Sequence, residues 1–168
     1  KDACVWDERY KEEGLAYGAE PNDYLVEMAG RIPAGPVLCL AEGQGRNAVF
    51  LASRGHAVLA VDQSAVGLER ARALAAERGV SIETRACDLA EFSFEPGHWA
   101  GIVSIWGHMP PDVRRAVHAK CAGALMPGGV MILEAYTPAQ VGRGTGGSPD
   151  PAFCMTADGL RAELSGLD

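Results

Sequence analysis

Residues Val37–Asp62, VLCLAEGQGRNAVFLASRGHAVLAVD, decide the fold. An apolar run, Val37 to Glu42, passes into Gly43-Gln44-Gly45. From Arg46 to Arg54 the apolar residues Ala48, Val49, Leu51 and Ala52 then recur at helical spacing. Gly55, a natural left-handed cap, ends that helix, and a second apolar run, Ala57 to Asp62, ends in an acid. Strand, glycine turn, helix and strand in this order form a βαβ unit of a parallel sheet. Gly43 and Gly45 permit a strained turn that a ligand can approach closely, and Ala48 permits tight packing of helix on strand.

Working outward, the pattern repeats. Ser64 N-caps a helix with Leu68, Ala71, Leu74 and Ala75 inside and Gly79 after its end. Short, mostly apolar strands are predicted at Ser81–Asp88, Trp99–Gly107 and Val130–Tyr136. Pro110–Ala124 reads as a helix opened by proline and closed by Pro127-Gly128-Gly129. The fold class is α/β, a Rossmann-like doubly wound and mostly parallel sheet. One domain spans residues 1–168, with its cofactor-binding core at 36–136, a flexible Gly/Pro-rich loop at 137–155 and a last helix at 156–168. Residues 1–30 form either a cap or lid over the sheet's end or a surface helix in which Trp6 and Tyr10 pair at i,i+4.

Composition narrows the function. At 168 residues, 48% hydrophobic and 22% charged, the chain is an ordinary globular domain. Its net charge of −7 has the wrong sign for gripping a phosphate backbone, so nucleic acid is not an expected partner. No run approaches the ~20 apolar residues of a membrane span, and Lys1–Tyr10 lacks a signal-peptide core, so the expectation is no membrane and a cytoplasmic location. Five cysteines, Cys4, Cys39, Cys87, Cys121 and Cys154, form no CxxC pair and read as reduced, mostly buried thiols. Cys39 and Cys87 in particular read as packing residues on strands buried on both faces.

The turn points to a cofactor containing adenosine. Asp62 lies 19 residues past Gly43, near the ~20 expected of a carboxylate that binds ribose hydroxyls. A nicotinamide dinucleotide and S-adenosylmethionine both present adenosine across the carboxyl ends of the first two strands. A dinucleotide sets its pyrophosphate on the glycine turn, where Glu42 would oppose it, whereas Glu42 tolerates a sulfonium and an amino group. That favours S-adenosylmethionine, with S-adenosylhomocysteine as the product. Asp88, ending the third strand, either accepts from an adenine amino group or caps the following turn.

The chain resembles class I S-adenosylmethionine-dependent methyltransferases, and specifically their tellurite-resistance-like and thiopurine-methyltransferase-like branch. The resemblance rests on WDERY and YGAEPNDYL at the front, LCLAEGQGRNAVFLA, AVDQSAVGLERA, ACDLAEF, IVSIWGHMPP and LMPGGVMILEAYTPAQ. It implies that Glu42, Gly43 and Gly45 surround the methionine part of the cofactor, with Tyr17 and Gln44 also among the cofactor-binding residues. By the same resemblance Asp62 and Gln63 hold the ribose, Asp88 and Leu89 the adenine, and Ser104 with Ile105 the outer face. An acid and a glycine are common in the superfamily where Cys39 and Ala41 stand, and Glu42 is placed to take over the acidic role. Family members also continue into an antiparallel strand pair beside the fifth strand. Its apparent absence leaves Met131–Tyr136 an open edge that a longer chain or a second copy of the protein would cover.

Methyl transfer is an in-line displacement that needs alignment and exclusion of water and no metal, and the four histidines show no metal-binding spacing. His108, after the fourth strand at the carboxyl edge, is either a general base or substrate contact, or a turn histidine bonded to backbone. Trp106 and Tyr136 end strands at the same edge and either wall the pocket or pack in the core. The expected acceptor is a small molecule with a soft thiol, selenium or tellurium nucleophile. Two other functions remain open: a non-catalytic cofactor-binding regulatory module, and an NAD-binding oxidoreductase.

Overall fold

The computed structural model describes residues 3–168; the side chains of Ala3 and Cys4 lie outside the described residues, and with them the Cys4 thiol. The chain runs α1 (Ala3–Lys11), α2 (Asp23–Met28), β1 (Val37–Leu40), α3 (Arg46–Ser53), β2 (Val58–Asp62), α4 (Ala65–Glu77), β3 (Glu83–Ala86), β4 (Trp99–Ile105), α5 (Pro111–Ala124), β5 (Leu125–Glu134) and α6 (Ala157–Glu163). Five strands form one sheet in the order β3-β2-β1-β4-β5, and every neighbouring pair is parallel. The chain steps outward from β1 through β2 to β3 and then returns to the far side of β1, so the order reverses between β1 and β4. Ligands of such sheets bind beyond the carboxyl ends of the strands at that reversal.

Alternation along β1 explains why its residues are all apolar. Val37 and Cys39 join a core cluster with Leu25, Leu51 and Leu68, while Leu38 and Leu40 join another with Val117 and Cys121. Both faces of the sheet are therefore covered by helices, which demands continuous apolar runs in its central strands. The edge strand β3 departs from the expected Ser81–Asp88 run of apolar residues. It pairs only over Glu83–Ala86, and Glu83, Arg85 and Ala86 are exposed. Charges there blunt an edge that would otherwise invite another strand. Cys87, next to it, is partly exposed and not buried on both faces as expected.

β5 also differs. It starts at Leu125, directly after α5, and Pro127-Gly128-Gly129 lies within the strand and not before it. Trp99 pairs with Leu125 and Gly101 with Val130, so the extra residues are absorbed as an irregularity where proline has no N–H for the ladder. On the outer side α6 is fixed to α5 by a compact group. Arg114 Nη2 and His118 Nδ1 meet the two Glu163 oxygens at 3.0 and 2.6 Å, and Arg114 Nη1 also donates to the carbonyl of Ala152 at 3.0 Å. Among the described residues no helix is long and apolar enough to cross a membrane.

The front of the chain packs against α4. α1 lies on the surface against α4 with Trp6 and Tyr10 stacked at 5.5 Å, yet Tyr10 is only 6% exposed. Ser64 Oγ donates to Asp7, and Arg70 reaches the carbonyls of Lys11 and Gly14.

Candidate active site

The site begins where β1 leaves the sheet. Ala41 has φ of +50°, and Gly43 and Gly45 follow at +63° and +90°. A left-handed alanine costs roughly 1–2 kcal/mol, so the surrounding turn must over-determine it. Asp62 supplies part of that restraint: Oδ2 accepts from Gly43 N and Oδ1 from Ser64 N, each at 2.8 Å. The carboxylate therefore joins the turns after β1 and β2. It is 8% exposed and not at an open strand end, and burial raises its pKa against the pull of these bonds. The Gln63 amide also bears on it, so about one acceptor site of its ~four remains for a ligand hydroxyl.

Glu42 is turned toward the helix. Its Oε1 accepts from Ala48 N at 2.7 Å, in the first turn of α3, where the N-cap Gly45 offers no side chain. The carboxyl also lies beside the Cys39 thiol, so Glu42 supplies an acid where Cys39 replaces one. Burial and the neighbouring Asp62 push its pKa up to about 7, outweighing the amides of Ala48 and Asn47 and the charge of Arg46. The charge argument against a pyrophosphate is thereby softened, because the group is partly protonated near neutrality. A second argument replaces it: the Ala48 amide that an anion would seek at a helix N-terminus is already taken.

The remaining turn residues divide. Gln44 is buried, and both its amide atoms are used on the front segment, Oε1 on Ala16 N at 2.7 Å and Nε2 on the Gly14 carbonyl at 3.5 Å. Its contact is with the segment lying over the turn. Gln63 is exposed beside Asp62. Asp88 is exposed and accepts from Ala90 N at 2.9 Å, the capping arrangement, with Leu89 buried next to it. Tyr10, not anticipated at this site, closes it from the front. A Cβ on Gly43 would come within 2.6 Å of the Tyr10 hydroxyl, and one on Gly67 within 2.8 Å of its ring. Burial and Asp62 hold that hydroxyl well above its ordinary pKa.

Across the reversal, register brings Ile105 opposite Glu134 and Ser104 opposite both Leu40 and Leu133. Ser104 is 1% exposed, and its Oγ has no hydrogen-bond partner among the described residues, a polar atom left for a ligand. Trp106 has φ of +55° and is clamped twice by Glu134: its backbone N–H donates to the Glu134 carbonyl at 2.8 Å and its Nε1 to Glu134 Oε1 at 3.0 Å. Trp106 and His108 both stack nearly parallel to Tyr136, at 5.9 and 5.7 Å. Trp106 lines a cavity, and Tyr136 and His108 stack behind it. Burial lowers the pKa of His108, and its buried Nε2 lacks a partner. Tyr17 meets Trp106 edge-on at 5.9 Å, and Arg46 lies over the Trp106 ring at 5.1 Å.

A cavity of about 460 Å³ opens between the Trp106 ring and α2, lined among others by Asn22, Arg46, Trp106 and Glu134. The structure thus gathers Glu42, Gly43, Gly45, Asp62 and Tyr10 at one half of the site, and Tyr17, Trp106, His108, Tyr136 and Glu134 at the other. Asp88 and Leu89 stand at the far end of β3. Among the described residues no three His, Cys, Asp or Glu side chains are grouped to hold a metal.

Comparison with known proteins identifies the family, because a methyltransferase-domain profile matches residues 37–129. The chain belongs to the methyltransferase domain family. A curated relative, the 2-heptyl-1-hydroxyquinolin-4(1H)-one methyltransferase of Mycobacteroides abscessus, is 28% identical over 108 residues, covering 62% of this chain and 48% of its own. The chain thus spans about half the length of that relative. A solved structure described as conversion of a disulfide bond into a thioacetal group during echinomycin biosynthesis superposes with a TM-score of 0.74. It is 23% identical, with 98% of this chain and 77% of that one covered. Magnesium protoporphyrin IX methyltransferase from Synechocystis PCC 6803, with S-adenosylmethionine bound, gives 0.60 at 18% identity, covering 97% and 66%. These last two establish the same methyltransferase fold. S-adenosylmethionine is the cofactor of this family, and the residues present fit it: a glycine turn open to close approach, a ribose-competent carboxylate, and an occupied helix N-terminus that disfavours phosphate.

Proposed function

We propose that this chain transfers a methyl group from S-adenosylmethionine to a small molecule, within the tellurite-resistance-like and thiopurine-methyltransferase-like branch. The observation that carries the reading is Asp62 bonded to Gly43 N at 2.8 Å, which sets a carboxylate with a free acceptor site beside a left-handed glycine turn at the sheet's reversal. Asp62 would bind the ribose, the Gly43–Gly45 turn the methionine part, and Ser104 would supply a hydroxyl to the face toward β4. The bound cofactor supplies an already activated methyl carbon. The work left to the chain is to orient the acceptor along the line of transfer and exclude water, which Tyr10, Tyr17 and the Trp106–Tyr136–His108 stack are placed to do.

The acceptor is proposed to present a soft sulfur, selenium or tellurium atom. A thiol ionises near pKa 8.5 and attacks without a dedicated base. His108, held neutral by burial, would then contact or orient the acceptor. The Mycobacteroides relative, named for a hydroxyquinolinone, favours a second reading in which the acceptor is a hydroxylated heteroaromatic ring. In that case His108 would receive the hydroxyl proton. Calorimetric titration with S-adenosylhomocysteine and NADH tests the cofactor: binding of the former alone is expected, and binding of NADH alone overturns the reading. Turnover of thiols with a labelled methyl donor tests catalysis against a purely regulatory role. Wild-type and His108→Ala enzyme then separate the acceptors. A loss below ~100-fold, with a pH profile that follows the acceptor, is expected for a soft nucleophile.

A further inference from the structure

The cavity over Trp106 contains a group with unspent bonding capacity. Glu134 Oε1 accepts two hydrogen bonds, from Trp106 Nε1 at 3.0 Å and Asn22 Nδ2 at 3.2 Å. Its other oxygen, Oε2, receives none among the described residues. The cation nearest at hand does not take it up: Arg46 forms no ion pair within 4.0 Å among the described residues. Its guanidinium lies over Trp106 at 5.1 Å, near Tyr17 at 6.0 Å, with one long bond of 3.5 Å to the Glu20 carbonyl. Asn22, only 7% exposed, is itself fixed, its N–H donating to Asn47 Oδ1 at 2.9 Å and its Oδ1 accepting from Leu25 N at 3.0 Å. Glu134 therefore sits in a rigid frame anchored on α2, α3 and the end of β4, with one oxygen outside these bonds, and it lines a cavity of about 460 Å³.

Such an oxygen can only accept, so a ligand that satisfies it must bring a donor. A protonated amine does so with charge assistance, whereas a carboxylate would meet Glu134, Asp23 and Glu27 on the same wall, three negative charges against the one positive charge of Arg46. We propose that Glu134 is the specificity-determining contact for the methyl acceptor, selecting small molecules that carry a protonated amine away from their nucleophilic atom and rejecting carboxylates. The proposal rests on the reading of this cavity as the acceptor side of the site. The conjugate of ring and amine suits it, since Tyr24 and Trp106 also line the cavity.

The test uses two probes of similar shape and opposite charge, phenethylamine and 3-phenylpropionate, titrated into the full chain by calorimetry with S-adenosylhomocysteine present. Phenethylamine is expected to bind, 3-phenylpropionate to bind at least fivefold more weakly or not at all. Glu134→Gln keeps an oxygen to accept from Trp106 and Asn22 while removing the charge. It should weaken phenethylamine at least fivefold and leave the unfolding temperature unchanged. A purely structural Glu134 would instead show the same amine affinity in Glu134→Gln and lose stability only in Glu134→Ala. Equal binding of the amine to wild type and Glu134→Gln, a preference for the acid, or no binding of the amine overturns the proposal. S-adenosylhomocysteine affinity of the same samples reads the cofactor assignment alone, so the two failures are distinguishable.

Discussion

Gly45→Ala should be among the most damaging single-methyl changes in the chain, and the structure separates its cost into two parts. The residue has φ of +90°, a conformation that costs an L side chain roughly 1–2 kcal/mol. The new Cβ would also stand 2.5 Å from Ala71 Cβ and 2.8 Å from Ala71 Cα. The second atom is backbone of α4 and cannot rotate aside, so α3 and α4 must part, at about 1–3 kcal/mol for overpacking of this kind. The expected loss is about 2–5 kcal/mol. Gly55→Ala is the internal control: its φ is +95°, but nothing lies within 4 Å of the new atom, so only the roughly 1–2 kcal/mol conformational part applies.

Urea unfolding of both variants and wild type measures the difference directly, and S-adenosylhomocysteine titration adds the functional consequence. Because α3 and α4 begin beside Glu42 and Asp62, Gly45→Ala should also weaken the cofactor, while Gly55→Ala should not. Adding Ala71→Gly to Gly45→Ala should return only the part due to the Ala71 Cβ, since the 2.8 Å approach to the Ala71 Cα remains, and that return is offset by about 1 kcal/mol for a glycine within a helix. Equal destabilisation by Gly45→Ala and Gly55→Ala would refute the reasoning that helix contact dominates.

Glu42→Gln tests the buried carboxyl. Its folded pKa of about 7 lies above the ordinary 4.5, so the folded state resists ionisation: the penalty is absent below pH 4.5, grows up to pH 7 and is full above it. Wild-type stability should thus fall by roughly 1–3 kcal/mol across that window relative to Glu42→Gln, and parallel pH–stability curves would count against it. Asp62→Ala should weaken S-adenosylhomocysteine by about 1.5–3 kcal/mol, and because Gly43 and Ser64 lose their acceptor it should also lower the unfolding temperature. Unchanged affinity would sink the ribose assignment. Arg114→Ala leaves Glu163 with only His118 as its partner and the Ala152 carbonyl without its donor. A loss of about 3–5 kcal/mol is expected, and an unaltered unfolding midpoint would show the trio to be incidental.

Local chemistry made the cofactor half legible. The turn from Ala41 to Arg46, the Ser64 cap, whose Oγ accepts from Gly67 N at 3.0 Å, and the position of Asp62 all follow from residues within a few turns of chain. Burial was less legible. Asp62 stands last in a strand and reads as exposed, but Gly43 and Ser64 close over it. Glu42 reads as facing a ligand, but the uncapped amide of Ala48 draws it toward the helix. β3 was over-read because hydrophobic alternation carries little information at an edge, where only one neighbour demands a partner.

The other half, proposed as the acceptor side, is legible in part: Tyr17, Trp106, His108 and Tyr136 stand out in the sequence, whereas Glu134 and Asn22 do not. Glu134 is 28 residues from Trp106 and 112 from Asn22, and the pairing of Ile105 with Glu134 in the sheet together with the packing of α2 on β5 brings them together. Tyr10 likewise reaches Gly43 and Gly67 through the docking of α1 on α4, which no local pattern announces. The two halves consequently differ in how they tolerate change. The cofactor half depends on backbone amides and left-handed φ angles, so its substitutions disturb the fold and the cofactor together. The acceptor half depends on side chains projecting from a sheet edge already specified by its core, so Glu134 or His108 can be exchanged for an isostere with the strands beneath them undisturbed. A fold organised this way can alter its acceptor while its cofactor turn stays constant, and substitutions at the β4 and β5 ends are the ones that should move specificity without moving stability.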